Sequence, residues 1–238
     1  MKWLAKLARV PRDLWQMLVT ALPGPFGDWL RHRFWKRRLR WLGTGTKIDV
    51  GVNFENPEWI SIDDRCWIDR NVLILAGPAR KGRKTETKVN AAFEGEAGEV
   101  RIGARTHIAP NVVISGIGGV QIGEGCGVAS GAAIYSYSHH YRAGGDREDR
   151  MQYAFSPLVT DAEQSMISGA IVMGDRCAVG LHAVLLPGTT LGRGTWVASG
   201  IVASGAHPEQ TLVHEKRATV AKPIEGLVLR TAETKAPS

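Results

Sequence analysis

Cysteine is scarce in this chain of 238 residues. There are three, Cys66, Cys126 and Cys177, at spacings that match no metal or redox motif. That usage fits a protein of the reducing cytoplasm and argues against a disulfide framework. Long apolar runs are lacking too. No stretch approaches the roughly 20 residues that a membrane-spanning helix needs, and no signal-peptide core with a cleavage site is evident. Acidic residues are nearly missing from one region. Residues 1–42 hold ten Lys or Arg against only Asp13 and Asp28, a balance of +8 in a chain of net charge +7, so the remainder is close to neutral.

What that basic region does contain is tryptophan: Trp3, Trp15, Trp29, Trp35 and Trp41, five of the chain's eight. With Leu4, Leu7, Leu14, Leu18, Leu30, Phe34, Leu39 and Leu42 they predict two amphipathic helices, broken near Leu22-Pro23-Gly24-Pro25. Cations interleaved with aromatics can bind nucleic acid, but no nucleic-acid fold follows in the sequence. Two roles remain: a helical cap on whatever follows, and contact with an anionic membrane surface at the inner face of the cell membrane. One segment can serve both.

From residue 167 the chain can be written in sixes. They run Ile167 to Val172, Met173 to Ala178, Val179 to Val184, Leu185 to Thr190, Leu191 to Trp196 and Val197 to Val202. Every first position is aliphatic, and the fifth holds Ile171, Cys177, Ala183, Thr189, Thr195 and Ile201, all small or β-branched. Six helical steps of about 100° scatter these positions over several faces, so no helix can use the pattern. Short strands that turn a corner every six residues can, with the aliphatic side chain inward and a small residue at the bend. The three cysteines all fall at fifth positions and read as small core residues. Stacked turns then bury one continuous core, as in a parallel β-helix.

In this pattern the chain resembles the hexapeptide-repeat acyltransferases, among them sugar O-acetyltransferases of lipopolysaccharide and exopolysaccharide assembly. The resemblance covers roughly residues 44–206. It implies an all-β solenoid, a left-handed parallel β-helix with three hexapeptides to a coil, so that 167–202 would form about two coils. The expected organisation is a basic helical segment over 1–43, the β-helix over 44–206 and a tail over 207–238.

Two interruptions break the repeats, at 75–99 and 135–166. The first contains Gly77-Pro78-Ala79-Arg80-Lys81-Gly82-Arg83-Lys84-Thr85, which nearly spells a phosphate-binding loop. Its lysine stands one place late and no helix is signalled after it, so that reading is set aside. The second opens with Ser138-His139-His140-Tyr141. Long loops thrown out of a regular scaffold are where function concentrates. An imidazole there can take a proton from a hydroxyl and hand it to a leaving thiolate.

The resemblance implies that His139 is the catalytic base. It makes His140 and Tyr141 neighbours that shape the acceptor site, and aligns Asn111 with an acceptor-side asparagine, although a turn can demand asparagine for backbone reasons alone. Asp146, Glu148, Asp149 and Asp161 are the carboxylates that could orient the ring. Acetyl-CoA, the implied acyl donor, would run along coil residues aligned with Leu181, Ser199, Ser204 and Gly205, mostly through backbone N–H groups. The sequence departs from the family at Ala178, where tryptophan is usual, at Gly205, where lysine is frequent, and in the tail at Thr219 to Pro223, where Arg217 and Lys222 could take over contacts to the CoA phosphates. No metal is implied, and no cysteine near the loop suggests an acyl-enzyme.

The function implied is acetyl-CoA-dependent O-acetylation of a sugar hydroxyl, with an amino-sugar N-acyltransferase as the alternative. The family closes its CoA groove with a second subunit, which implies a homotrimer. A γ-type zinc carbonic anhydrase shares the implied fold, and His107, His139, His140 and His182 could supply ligands, but its paired histidine spacing is missing. A non-catalytic scaffold is the third class, told apart by whether acetyl-CoA binds.

Overall fold

In the computed structural model, residues 10–142 and 152–214 are described, with side chains from residue 14 onward. Within them, strands of two or three residues stack into three parallel sheets. Face A gathers Trp41–Leu42, Ile60–Ile62, Val100–Ile102, Val120–Ile122, Ile171–Met173, Thr190–Leu191 and Ala206–His207. Face B gathers Lys47–Ile48, Trp67–Ile68, His107–Ile108, Gly127–Val128, Ala178–Val179, Trp196–Val197 and Leu212–Val213. Face C runs from Asn53–Glu55 through Leu73–Leu75, Val113–Ser115, Ala133–Tyr135 and Val184–Leu185 to Val202–Ala203. The chain visits A, B and C in turn, so the molecule is a three-faced parallel β-helix, as the repeats imply.

The inward ladders explain the period. Leu42, Ile62, Ile102, Ile122, Met173 and Leu191 stack on face A, and each is at most 3 % exposed. Ile48, Ile68, Ile108, Val128, Val179 and Val197 do the same on face B. At the corner between A and B, the fifth positions form a ladder of hydroxyls and thiols. Thr46 donates to the Asp63 carbonyl (2.6 Å), Cys66 to Gly103 (3.2 Å), Thr106 to Gly123 (3.0 Å), Cys126 to Gly174 (3.2 Å) and Cys177 to Gly192 (3.0 Å). A small side chain that can donate to the next coil fits there; a larger one would not. All three thiols are free and buried, which is their structural explanation.

Helix α1 (Val10–Ala21) and helix α2 (Gly24–Lys36) precede the coils, with the break at Leu22-Pro23 where expected. The top coil has no coil before it to bond its carbonyls, and α2 supplies the missing donors. Arg31, fully buried, donates from Nε to the Ile48 carbonyl (2.9 Å), and His32 Nδ1 donates to the Thr46 carbonyl (2.9 Å). Trp35 is 1 % exposed and meets Phe54 edge-on at 4.7 Å, closing the apolar core. The cap reading of this segment therefore holds for α2.

Three expectations need correction. Ile167 is not a core position: it is only half-buried and pairs outside the coils, so the inward pattern resumes at Ile171 and Met173. The stretches 75–99 and 135–166 are not wholly loop, because each contributes a strand. Coil strands also extend beyond the expected limits of 44 and 206, from Trp41–Leu42 to Leu212–Val213. The near-match to a phosphate loop leads into a strand, Lys84–Lys88, as its exclusion required.

Candidate functional site

Both interruptions leave the same corner, between faces C and A, one after Leu75 and the other after Tyr135. One uninterrupted coil, turning through Gly116–Gly119, separates them. They meet beside the solenoid in a small sheet of three strands, β1 (Lys84–Lys88), β2 (Tyr137–His139) and β3 (Ser165–Gly169), in the order β2-β3-β1. β2 runs antiparallel to β3, with His139 opposite Met166, and β3 runs parallel to β1, with Met166 opposite Thr85. This pairing withdraws Ile167 from the core.

His139 ends β2. Its ring lies 4.8 Å from that of Phe155, and its Nδ1 is buried without a hydrogen-bond partner among the described residues. Burial, and then the positive charge of Arg83, hold its pKa below the ordinary histidine value, so the neutral ring is favoured. His140, the next residue, turns elsewhere. Its Nδ1 lies 2.9 Å from the Arg142 carbonyl and its ring packs against Tyr141 at 5.0 Å, as alternation along an extended segment requires. Tyr141 itself is exposed.

The first insertion supplies the surroundings. Arg83, mostly buried, donates from Nε to Asp161 Oδ1 at 3.0 Å, and Arg80 approaches the other oxygen at 3.4 Å. Lys84 Nζ donates to the Tyr153 hydroxyl at 2.6 Å. Asp161 is thus committed to two arginines, which removes it from the carboxylates that could orient His139. Asp146, Glu148 and Asp149 lie outside the described residues. Arg83, Tyr153 and Phe155 were missed by sequence reasoning. They stand where the six-residue pattern is interrupted, and no local signal ties residue 83 to residue 161.

The remaining candidates fall at other corners. Asn111 turns the corner between B and C with φ +61°, and its side-chain oxygen accepts from Asn71 Nδ2 at 3.3 Å. That left-handed backbone explains the asparagine without a ligand. Its strand, Val113–Ser115, runs across face C before reaching the corner from which the insertions leave, so Asn111 and His139 occupy opposite ends of that face. Leu181 and Ser199 stack at the B–C corner one coil apart: the Leu181 N–H donates to Ser199 Oγ at 3.2 Å and its carbonyl accepts from Gly200 at 2.8 Å. Ser204 and Gly205, both exposed, sit instead at the C–A corner. Within one chain, then, the CoA-side candidates divide between two corners. Ala178 faces outward on face B between Gly127 and Trp196. Arg217, Lys222 and the segment 219–223 lie outside the described residues.

Of the histidines weighed as metal ligands, His107 stacks on Trp67 at 4.9 Å on face B, and His182 turns the B–C corner, so they do not converge with His139 and His140 in one chain. Among the described residues no cluster of three or more His, Cys, Asp or Glu side chains could hold a metal ion.

No family model matches the chain. A curated relative, the putative lipopolysaccharide biosynthesis O-acetyl transferase WbbJ of Escherichia coli strain K12, is 31 % identical over 102 residues, 43 % of this chain and 49 % of that protein. The match thus spans about half of that relative's length. Among solved structures, a single-site mutant of AntD, an N-acyltransferase from Bacillus cereus in complex with dTDP and coenzyme A, superposes with a TM-score of 0.59 at 17 % identity, covering 76 % of this chain and 83 % of that one. The hexapeptide-repeat containing acetyltransferase VCA0836 from Vibrio cholerae gives 0.50 at 17 % identity, over 87 % and 85 % of the two chains. In its repeats, its three-faced coil and its overall fold, the chain is a hexapeptide-repeat left-handed β-helix with the architecture of the acyltransferases built that way.

Proposed function

We propose that this protein transfers the acetyl group of acetyl-CoA to a sugar hydroxyl, an O-acetyl transfer of the class for which WbbJ is named. The observation that carries the reading is His139: a histidine favoured in its neutral form, placed by β2 where an insertion leaves a hexapeptide coil. In the proposed reaction the neutral ring accepts the hydroxyl proton while the oxygen attacks the thioester carbon. The tetrahedral intermediate then expels the CoA thiolate, which takes the proton back from the imidazolium. His139 ends unchanged, with one ester formed and one thioester broken. The assay is release of free CoA from acetyl-CoA across a panel of sugar acceptors. An acceptor panel with no turnover above hydrolysis would remove the reading. The likeness in fold to AntD keeps an amino sugar as the second acceptor class, told apart by whether the product is an alkali-labile ester or a stable amide.

The groove for acetyl-CoA is completed in this reading by a second copy of the chain in a homotrimer. Two features support it. Leu181 and Ser199 lie at a different corner from Ser204, Gly205 and the His139 insertion. Face C also presents an outward ladder of Leu73, Val113, Ala133, Val184 and Val202, apolar on five successive coils. A neighbour packed there would cover apolar surface and could bring one protomer's B–C corner towards the other's C–A corner.

The helical segment supports contact with an anionic membrane surface in addition to its capping role. α2 buries Arg31, Phe34 and Trp35 but leaves Phe26 and Trp29 exposed, stacked at 5.8 Å, with Arg33 over the Trp29 ring. α1 adds Leu14, Trp15, Met17 and Leu18, all exposed. Exposed aromatics beside a +8 segment are the composition of an interfacial anchor. Among the described residues no helix is long and apolar enough to cross a membrane.

A further inference from the structure

The first insertion carries none of the residues that the sequence nominates for chemistry, yet it reaches the same site. β1 lies in one sheet with β2, its Thr85 in the row of Met166 and His139, and Arg83 stands just ahead of it. The Arg83 side chain is only 13 % exposed. A guanidinium so far removed from water needs a partner, and Asp161 of the second insertion provides it. The bond fixes the cation two residues ahead of Thr85, on the face of the sheet that Thr85, Met166 and His139 share.

We propose that Arg83 is a positioning residue for the transfer reaction: held in place by Asp161, its fixed positive charge keeps His139 neutral and ready to accept the acceptor's proton. The inference rests on the reading of His139 as the base. A carboxylate in the same place would do the opposite, drawing a proton onto the ring before the acceptor arrives. During transfer the same cation disfavours the imidazolium and so promotes delivery of the proton to the leaving thiolate. The ring's depressed pKa agrees, with burial the larger cause and Arg83 the second.

Among the described residues, the other charged groups on the elements packed around the ring are bonded elsewhere or pair in other rows. β3, which pairs directly with β2, carries no ionisable side chain between Ser165 and Gly169. On β1, Lys84 is bound to the Tyr153 hydroxyl, and Glu86 and Lys88 pair in the rows of Ile167 and Gly169 rather than that of His139. Asp161 is shared by Arg83 and Arg80, and Glu163 closes the turn onto Thr160. On the second insertion, His140 bonds the Arg142 carbonyl.

The test uses the full chain, with the His139 ring titrated by NMR and the acid limb of the pH–rate profile of CoA release measured alongside. Arg83→Gln should raise the ring's pKa and move the acid limb to higher pH, while Arg83→Lys, which keeps the charge, should leave both near wild type. An unmoved ring in Arg83→Gln, or equal shifts in both variants, overturns the proposal and leaves Arg83 a structural residue. If Arg83→Gln is not recovered folded, Arg83→Met, which keeps the aliphatic stem and removes the charge, decides by the same readout, and an unmoved ring would overturn the proposal. A ring that moves in Arg83→Gln without the acid limb following supports the action of Arg83 on His139 and shows instead that His139 is not the base.

Discussion

Arg83 Nε and Asp161 Oδ1, 78 residues apart in the chain, lie 3.0 Å apart and tie the two insertions to each other. The six-residue rhythm makes each insertion look like an independent excursion. Both leave the same edge of the prism, two coils apart, so the stacked coils bring them together. Their union is a sheet rather than two loops, and the histidine with the strongest claim to chemistry ends one of its strands.

His139→Ala should lower turnover by roughly 10² to 10⁴, the usual worth of general acid–base catalysis. Binding of acetyl-CoA should change little, since the groups proposed to hold it lie on the coils. His140→Ala should cost far less, because its ring is engaged by the Arg142 carbonyl and Tyr141. Steady-state turnover of both variants checks this, and a large loss confined to His140→Ala would show the wrong ring was chosen.

Replacing Phe26 and Trp29 together by Ser should weaken binding to anionic vesicles by about tenfold or more. Each ring withdrawn from water contributes roughly 1.5 to 3 kcal/mol, and about 1.4 kcal/mol is a factor of ten. Folding should be spared, because both rings lie on the exposed side of α2. Vesicle co-sedimentation at low salt is the measurement; unchanged binding would limit the segment to its capping role.

Val113→Asp combined with Val202→Asp should convert a trimer to monomers by placing carboxylates in the apolar ladder of face C, where an interface would strand them without partners. Light scattering reads the change. A wild-type chain that is already a fully active monomer would dispose of the trimer altogether.

Glu99 offers a pH test of stability. Its side chain is 5 % exposed and reaches Arg40 and Arg101, joining the end of the first insertion to the corner beside the first coil. Burial would raise its carboxyl, but the Glu96 backbone N–H and the two arginines outweigh it and hold the pKa below the ordinary Glu value. The native state therefore binds fewer protons than the unfolded one near that value. The stabilisation is present above the unfolded-state pKa and is lost as pH falls through the lowered native one. Glu99→Gln should cost about 1 to 2 kcal/mol at neutral pH, less than a fully buried pair because both arginines are partly exposed. Urea melts at pH 7 and pH 4 should show the mutant and wild type converging at the lower pH.

The repeat, and with it the solenoid, was legible because a coil is a local object. An aliphatic residue at Val179, Leu185, Leu191 or Val197 meets its partners at a fixed spacing, so the period alone determines which side chains point inward. The cysteines were legible for the same reason, as fifth positions of that period. The break at Leu22-Pro23 could be read from proline's missing donor. His139 could be nominated because its residue type and its place after a coil are both in the sequence. What only the tertiary structure decided is long-range: Arg83 against Asp161, Phe155 against His139, Ile167 drawn out of the core to pair with Ser138, and Asn111 set at the far end of face C from the histidine. Those contacts depend on which corner each insertion leaves and how many coils separate them, and a six-residue period says nothing about residues that step outside it.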